Sequence, residues 1–94
     1  MPVRNGTLFE WDAEKEAVNL RKHKLGFDEA MRVFDDRNRK EFYDALHSQE
    51  EDRFFTIGMV RDILFVVYTE RREAIRIISA RKANEKEVRI YYDD

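Results

Sequence analysis

Ninety-four residues leave room for one domain around a modest core. Charged residues make up 40% of the chain, so much of the sequence must be surface, and a net charge of −2 argues against a general nucleic-acid glue. Cysteine is absent, which excludes disulfides and thiolate metal sites. The opening MPVRNGTLFEW lacks the apolar run of a signal peptide, and no stretch reaches the roughly 20 apolar residues of a membrane span. The expectation is a cytoplasmic protein with no membrane partner.

The charge is unevenly placed. Residues 26–52 hold nine acids against four bases, and residues 53–82 hold seven bases against three acids. A local anion-binding face on an acidic protein would read this way, as would ordinary solvated surface.

In chain order, Thr7 to Trp11 alternates like a short strand. Asp12 is placed to cap a helix, with Glu14 in the first turn where the dipole favours an acid. Ala13, Ala17, Leu20 and Lys24 share one face of that helix, with Val18 and Leu25 beside it. Gly26 follows the basic run RKHK and suits a C-terminal cap. In FDEAMRVF, Phe27, Ala30, Met31 and Phe34 form an apolar helical stripe. DDRNR reads as a loop.

From about Lys40 the period shortens toward two. EFYDA reads as a strand, HSQEED as a turn, and RFFTIGMV as a strand in which Gly58 suggests a bulge. ILFVVYTE is apolar on both parities, the mark of a central strand covered on both sides. Arg61–Asp62 makes a hairpin turn before it and RRE a turn after it. AIRIISA is the last strand. Asn84 and Glu87, three apart, open a final helix bearing Val88, Tyr91 and Tyr92. Helices segregated from hairpin-linked strands predict an α+β fold: two N-terminal helices, an antiparallel sheet of three to four main strands, and a C-terminal helix.

The chemistry open to this chain is narrow. His23 and His47 are the only histidines, without HExxH or carboxylate-rich ligand spacing. Three scattered glycines cannot build a phosphate loop, and no serine sits in a nucleophile elbow. Cations, acids and aromatics remain. That set suits cleavage of an RNA phosphodiester by its own 2′-hydroxyl, without metal or cofactor. The reaction needs a base for the 2′ proton, an acid for the 5′-oxygen, and fixed positive charge at the phosphoryl oxygens. Arginine serves the last role bidentately.

Each contributor has a structural reading too. Arg21 to Lys24 can contact phosphate or complement a helix C-terminus. Arg53, after Glu50 and Glu51, can belong to a site or to a loop ion pair. Tyr91 and Tyr92 can stack on a base or pack the last helix on the sheet. Arg76 is harder to place. Simple alternation sets Arg76, Ile78 and Ala80 on one face and Ile75, Ile77, Ser79 and Arg81 on the other. A guanidinium on an apolar face needs an acid or a wet groove, and Glu70 on the preceding strand is a candidate partner. Arg76 and Arg81 then face opposite ways.

Read together, several segments resemble the BrnT family of type II toxins. They are FEWD (9–12), Asn19 to His23 as N-x-x-KH, FDEA (27–30), VFDD (33–36), RFFTIG (53–58), VVYTER (66–71) and RIISARKA (76–83). The resemblance covers nearly the whole chain, read as one toxin domain over 1–94. It implies a RelE-like fold, RNA cleavage that arrests growth, and neutralisation by a BrnA-type antitoxin. Operator DNA would be met only through the antitoxin, in a complex that represses its own operon. Carried over by motif, the catalytic set is His23, Glu70, Arg76 and Tyr92, and the substrate-binding set is Lys22, Arg53, Ser79 and Arg81. The competing reading is a non-catalytic module that serves as antitoxin partner and co-repressor.

Overall fold

The computed structural model describes residues 2–93. Strands β1 (Val3–Arg4) and β2 (Thr7–Glu10) lead into helices α1 (Ala13–His23) and α2 (Phe27–Arg32), the latter extended by a 3-10 turn at Val33–Asp35. Strands β3 (Lys40–Tyr43), β4 (Arg53–Met59), β5 (Ile63–Arg71) and β6 (Ala74–Lys82) follow, and helix α3 (Glu85–Tyr92) closes the chain. The strands form one six-stranded sheet in the order β1-β2-β6-β5-β4-β3. β3 to β6 are an antiparallel meander, while β2 joins β6 in parallel. The architecture is therefore α+β, with a sheet that is wider than three or four strands and mixed rather than purely antiparallel.

Helices α1 and α2 pack on β6, and α3 crosses β4 and β5. The stripe expected on α2 is the core: Phe27, Ala30 and Val33 are fully buried against Leu64, Val66, Ile77 and Ala80, with Met31 and Phe34 packed beside them. β5 sits centrally, as its double apolar parity requires. Its Leu64, Val66 and Tyr68 face the α1 and α2 layer, and Phe65 and Val67 face the other side.

Local signals at the helix ends hold with one exception. Asp12 caps α1 by accepting from Glu14 N and Lys15 N, and Asn84 and Glu87 complete a reciprocal capping box on α3. At the end of α1, however, Lys24 takes the left-handed conformation (φ 59°), and Gly26 is instead the N-cap of α2. The carboxylate of Glu16 explains the exchange: it accepts from Phe27 N at 2.8 Å and so begins α2 immediately after Gly26.

Two strand-level expectations are corrected. Gly58 is not a bulge, because it pairs in register with Leu64. It is glycine because a Cβ there would lie 2.6 Å from Val33 Cγ1, where the 3-10 turn closes on β4. The irregularity lies in β6: Ser79 stands opposite Val67 and Ile77 opposite Tyr68, which leaves Ile78 without a partner. This β-bulge sets the geometry of the site.

Candidate functional site

An extra residue in a strand shifts the parity of everything beyond it. Before the bulge, Arg76 stands opposite Thr69; after it, Ser79 stands opposite Val67 and Arg81 opposite Phe65. Thr69, Val67 and Phe65 alternate regularly on β5, so Arg76, Ser79 and Arg81 all point to one face. The opposition of Arg76 and Arg81 expected from simple alternation is thereby overturned. The face is the one that α3 covers at its Met59 end and leaves open at its Arg53 end.

The candidate partner Glu70 is not the one Arg76 meets. Glu70 stands opposite Ile75, on the reverse face, and is exposed. Arg76 pairs instead with Glu10 across the parallel β2–β6 ladder, Nη1 to Oε2 at 2.6 Å. Both side chains stay about a quarter exposed or less, at 26% and 21%, so the pair is half-sheltered rather than a loose surface contact. The same face carries Arg53, opposite Thr69 on β4. A row Glu10–Arg76–Thr69–Arg53 thus crosses four strands. Arg81 donates through both terminal guanidinium nitrogens, Nη1 and Nη2, to Glu87 at 2.8 and 2.9 Å, tying β6 to α3.

Helix α1 brings the remaining residues to this edge. β2 pairs only with Ala74–Arg76, so the outer edge of β6 is unpaired beyond that point. Asn19, buried in mid-helix, closes it: its amide donates to Ala80 O (2.8 Å) and Leu25 O (2.9 Å) and accepts from Ala80 N (3.0 Å). One turn further, Lys22 and His23 border an open groove of about 460 Å³ together with Asp12, Lys15, Ile78 and Ser79. Asp12 is held below the usual carboxylate range by the backbone N–H groups of Lys15 and Glu14, with the positive charge of Arg76 adding to them.

The carried-over residues therefore divide. Lys22, His23 and Ser79 meet in the groove; Arg76 and Arg53 share the adjoining sheet row; Arg81 lies on the same face but is held by Glu87. Tyr92 is 65% exposed beside Lys40 and Met59. Met59 and Arg53 are opposite ends of β4, about 20 Å apart at the strand rise, so Tyr92 is remote from the arginine row. Tyr91, not Tyr92, is the buried aromatic of α3, and its hydroxyl donates to Asp36 Oδ2 at 2.6 Å. Among the described residues, no group of three or more His, Asp or Glu side chains is placed to hold a metal ion. No described helix is long and apolar enough to cross a membrane.

Asn19 and Glu10 stand within the quoted motifs, yet sequence reasoning assigned neither a role. An asparagine inside a helical segment was the available signal for Asn19, because such a residue favours caps and turns unless it finds backbone partners. It also missed a stack of phenylalanines on the open face: Phe65, Phe55 and Phe42 lie with centroids 4.9 and 5.1 Å apart and planes within 28°.

The chain is thus an α+β domain with two arginines in one row on an open sheet face and a histidine groove at the edge of that sheet. The model of the BrnT family, described as the ribonuclease toxin of a type II toxin–antitoxin system, matches residues 11–87, and the chain belongs to that family. The crystal structure of the Brucella abortus ribonuclease toxin BrnT is similar, with a TM-score of 0.66 at 26% identity, covering 84% of this chain and 100% of that one. At that identity this chain is a relative of the Brucella protein, not a copy of it. No curated protein matches by sequence.

Proposed function

We propose that this chain acts as one RelE-like toxin domain that cleaves RNA by 2′-hydroxyl attack without a metal ion. The observation that carries the reading is the bulge at Ile78, which turns Arg76 and Ser79 onto one face beside the His23 groove. Arg76 stabilises the charge that develops on the phosphoryl oxygens. His23 serves the proton transfers: the 2′-oxygen loses its proton as it bonds to phosphorus, and the 5′-oxygen gains one as its bond to phosphorus breaks. Lys22, Ser79 and Arg53 bind the backbone. Family membership supports RNA as substrate and an antitoxin as partner. We extend this to growth arrest in the cytoplasm, a BrnA-type antitoxin, and autorepression in which operator DNA is held by the antitoxin.

One observation favours the non-catalytic alternative: Arg76 and Arg81 already hold Glu10 and Glu87. Purified protein incubated with RNA in chelator separates the two. Cleavage that persists with chelator and falls in Arg76→Ala and His23→Ala supports the enzyme. An intact RNA together with tight antitoxin binding supports the module.

A further inference from the structure

The three stacked phenylalanines have no role in the reaction above. Phe65 is closed on one side by the Arg81 guanidinium, 4.2 Å from its centroid. Phe55 is enclosed between Phe65 and Phe42. The stack therefore ends at Phe42, on the edge strand β3, a residue that is 37% exposed. Phe42 stands opposite Phe55, and Arg53 lies two residues from Phe55 on the same strand. Phe42 and Arg53 are thus diagonal neighbours on one face, about 7 Å apart between backbones.

The carboxylates nearest Arg53 in sequence are engaged elsewhere. Glu51 lies 3.4 Å from Arg71, and Asp52 accepts from the Tyr43 hydroxyl at 3.0 Å. Among the described residues no carboxylate lies within ion-pair distance of the Arg53 guanidinium, although Glu50 and Glu51 border the same shallow hollow. A flat π-face with an uncommitted guanidinium beside it matches one ligand chemistry closely: an unpaired base and its phosphate. Stacking is tolerant of base identity because every base has a π-face.

We infer that Phe42 and Arg53 form a nucleotide subsite, in which an unpaired base of single-stranded RNA extends the Phe65–Phe55–Phe42 stack and its phosphate meets Arg53. This rests on the RNA-cleaving reading and adds to it that the substrate is single-stranded where it crosses β3. The test measures anisotropy of two labelled 2′-O-methyl octanucleotides, which lack the attacking hydroxyl. One carries all its bases and one is abasic throughout. Phe42→Ala should weaken the base-bearing probe roughly tenfold or more, the size of one lost stack, while the abasic probe is unaffected. Phe42→Trp, which keeps a ring at the position, should bind the base-bearing probe at least as well as the parent. Arg53→Gln should weaken both probes.

Equal binding of the base-bearing probe by parent, Phe42→Ala and Phe42→Trp overturns the subsite. So does a Phe42→Ala protein that binds both probes normally but loses the antitoxin or changes its own oligomeric mass. A parent that discriminates the probes through Phe42 yet cleaves no RNA keeps the subsite and removes the ribonuclease reading. A parent that cleaves RNA with a KM unchanged by Phe42→Ala does the reverse.

Discussion

Asn19 satisfies both backbone polar groups of Ala80, at 2.8 and 3.0 Å, and so acts as a one-residue strand on the edge of β6. The contact joins the helix that carries Lys22 and His23 to the strand that carries Arg76 and Ser79. Removing it leaves a buried N–H and a buried C=O without partners, each costing about 1–3 kcal/mol. Asn19→Ala should therefore lower stability by about 2–5 kcal/mol, read as a shift of the urea midpoint. Asn19→Asp keeps the acceptor for Ala80 N but turns a buried carboxylate oxygen toward Ala80 O and Leu25 O, so at neutral pH it should destabilise at least as much as Asn19→Ala.

Gly58 sits under Val33. An added methyl would meet Val33 Cγ1 at 2.6 Å and Val33 O at 3.3 Å, so the 3-10 turn must move away from β4. Gly58→Ala should cost about 1–3 kcal/mol, the usual scale of overpacking. Thermal unfolding of Gly58→Ala against the double variant Gly58→Ala/Val33→Ala checks the cause: the double variant should lose less than the sum of its parts.

Helix α3 is attached through titratable groups at both ends. Burial raises the Glu87 carboxyl, but the Arg81 fork and Asn84 N outweigh it and hold Glu87 below its ordinary 4.5. Asp36 behaves alike: burial raises it, and hydrogen bonds from the Tyr91 hydroxyl, Met59 N and Asn38 N take it below 3.8. Burial, then the hydrogen bond and charge of Asp36, push Tyr91 up to about 12. For the carboxylates the folded state binds protons less well than the unfolded one. Their contribution is complete above the ordinary values and is lost as pH falls through the depressed ones. For Tyr91 the contribution is complete below its ordinary 10.0 and is lost as pH rises toward 12. Stability should fall on both sides of a plateau between about pH 5 and 10. Chemical denaturation across pH would show it, with a shallower acid limb in Glu87→Gln.

On the proposed reading Arg76 acts on phosphate, whereas Tyr92 lies far from the arginine row. Arg76→Ala should lower RNA cleavage about 100-fold or more, the scale for a lost electrostatic donor. Arg76→Lys should recover only part of that, since the ammonium lacks the planar fork. Tyr92→Phe should cleave like the parent. Single-turnover cleavage of a labelled RNA compares the three.

Glu10 holds the Arg76 guanidinium at 2.6 Å. If the pair orients Arg76 for phosphate, Glu10→Gln should lower cleavage while leaving the affinity for a non-cleavable RNA within about twofold, since removing one half-sheltered carboxylate mainly frees a side chain. A purely structural pair would show up as lost stability with normal cleavage.

Much of the fold was legible in the sequence because its signals are local. Asp12 and the Asn84–Glu87 box capped helices where expected, since a cap needs only residues within one turn. The α2 stripe became the core, and ILFVVYTE became the central strand, because both follow from periodicity. The α1 stripe misled: Val18 and Leu20 are 47% and 50% exposed, while Asn19 between them is buried. Hydrophobicity ranks an asparagine as surface, and only the unpaired edge of β6 makes its burial favourable.

The candidate site divides along the same line. Residue chemistry by itself determined that this chain has no thiol and no glycine-rich phosphate loop, that its candidate groups are cations with a histidine, and that its motifs resemble those of one toxin family. Tertiary structure decided which of those groups meet. The bulge at Ile78 brought Arg76, Ser79 and Arg81 to one face, the parallel β2 supplied Glu10, and α1 delivered Lys22 and His23 to the edge of β6. Pairings between residues far apart in sequence depend on register and strand order. A single unpaired residue changes that register without leaving a trace in the local pattern.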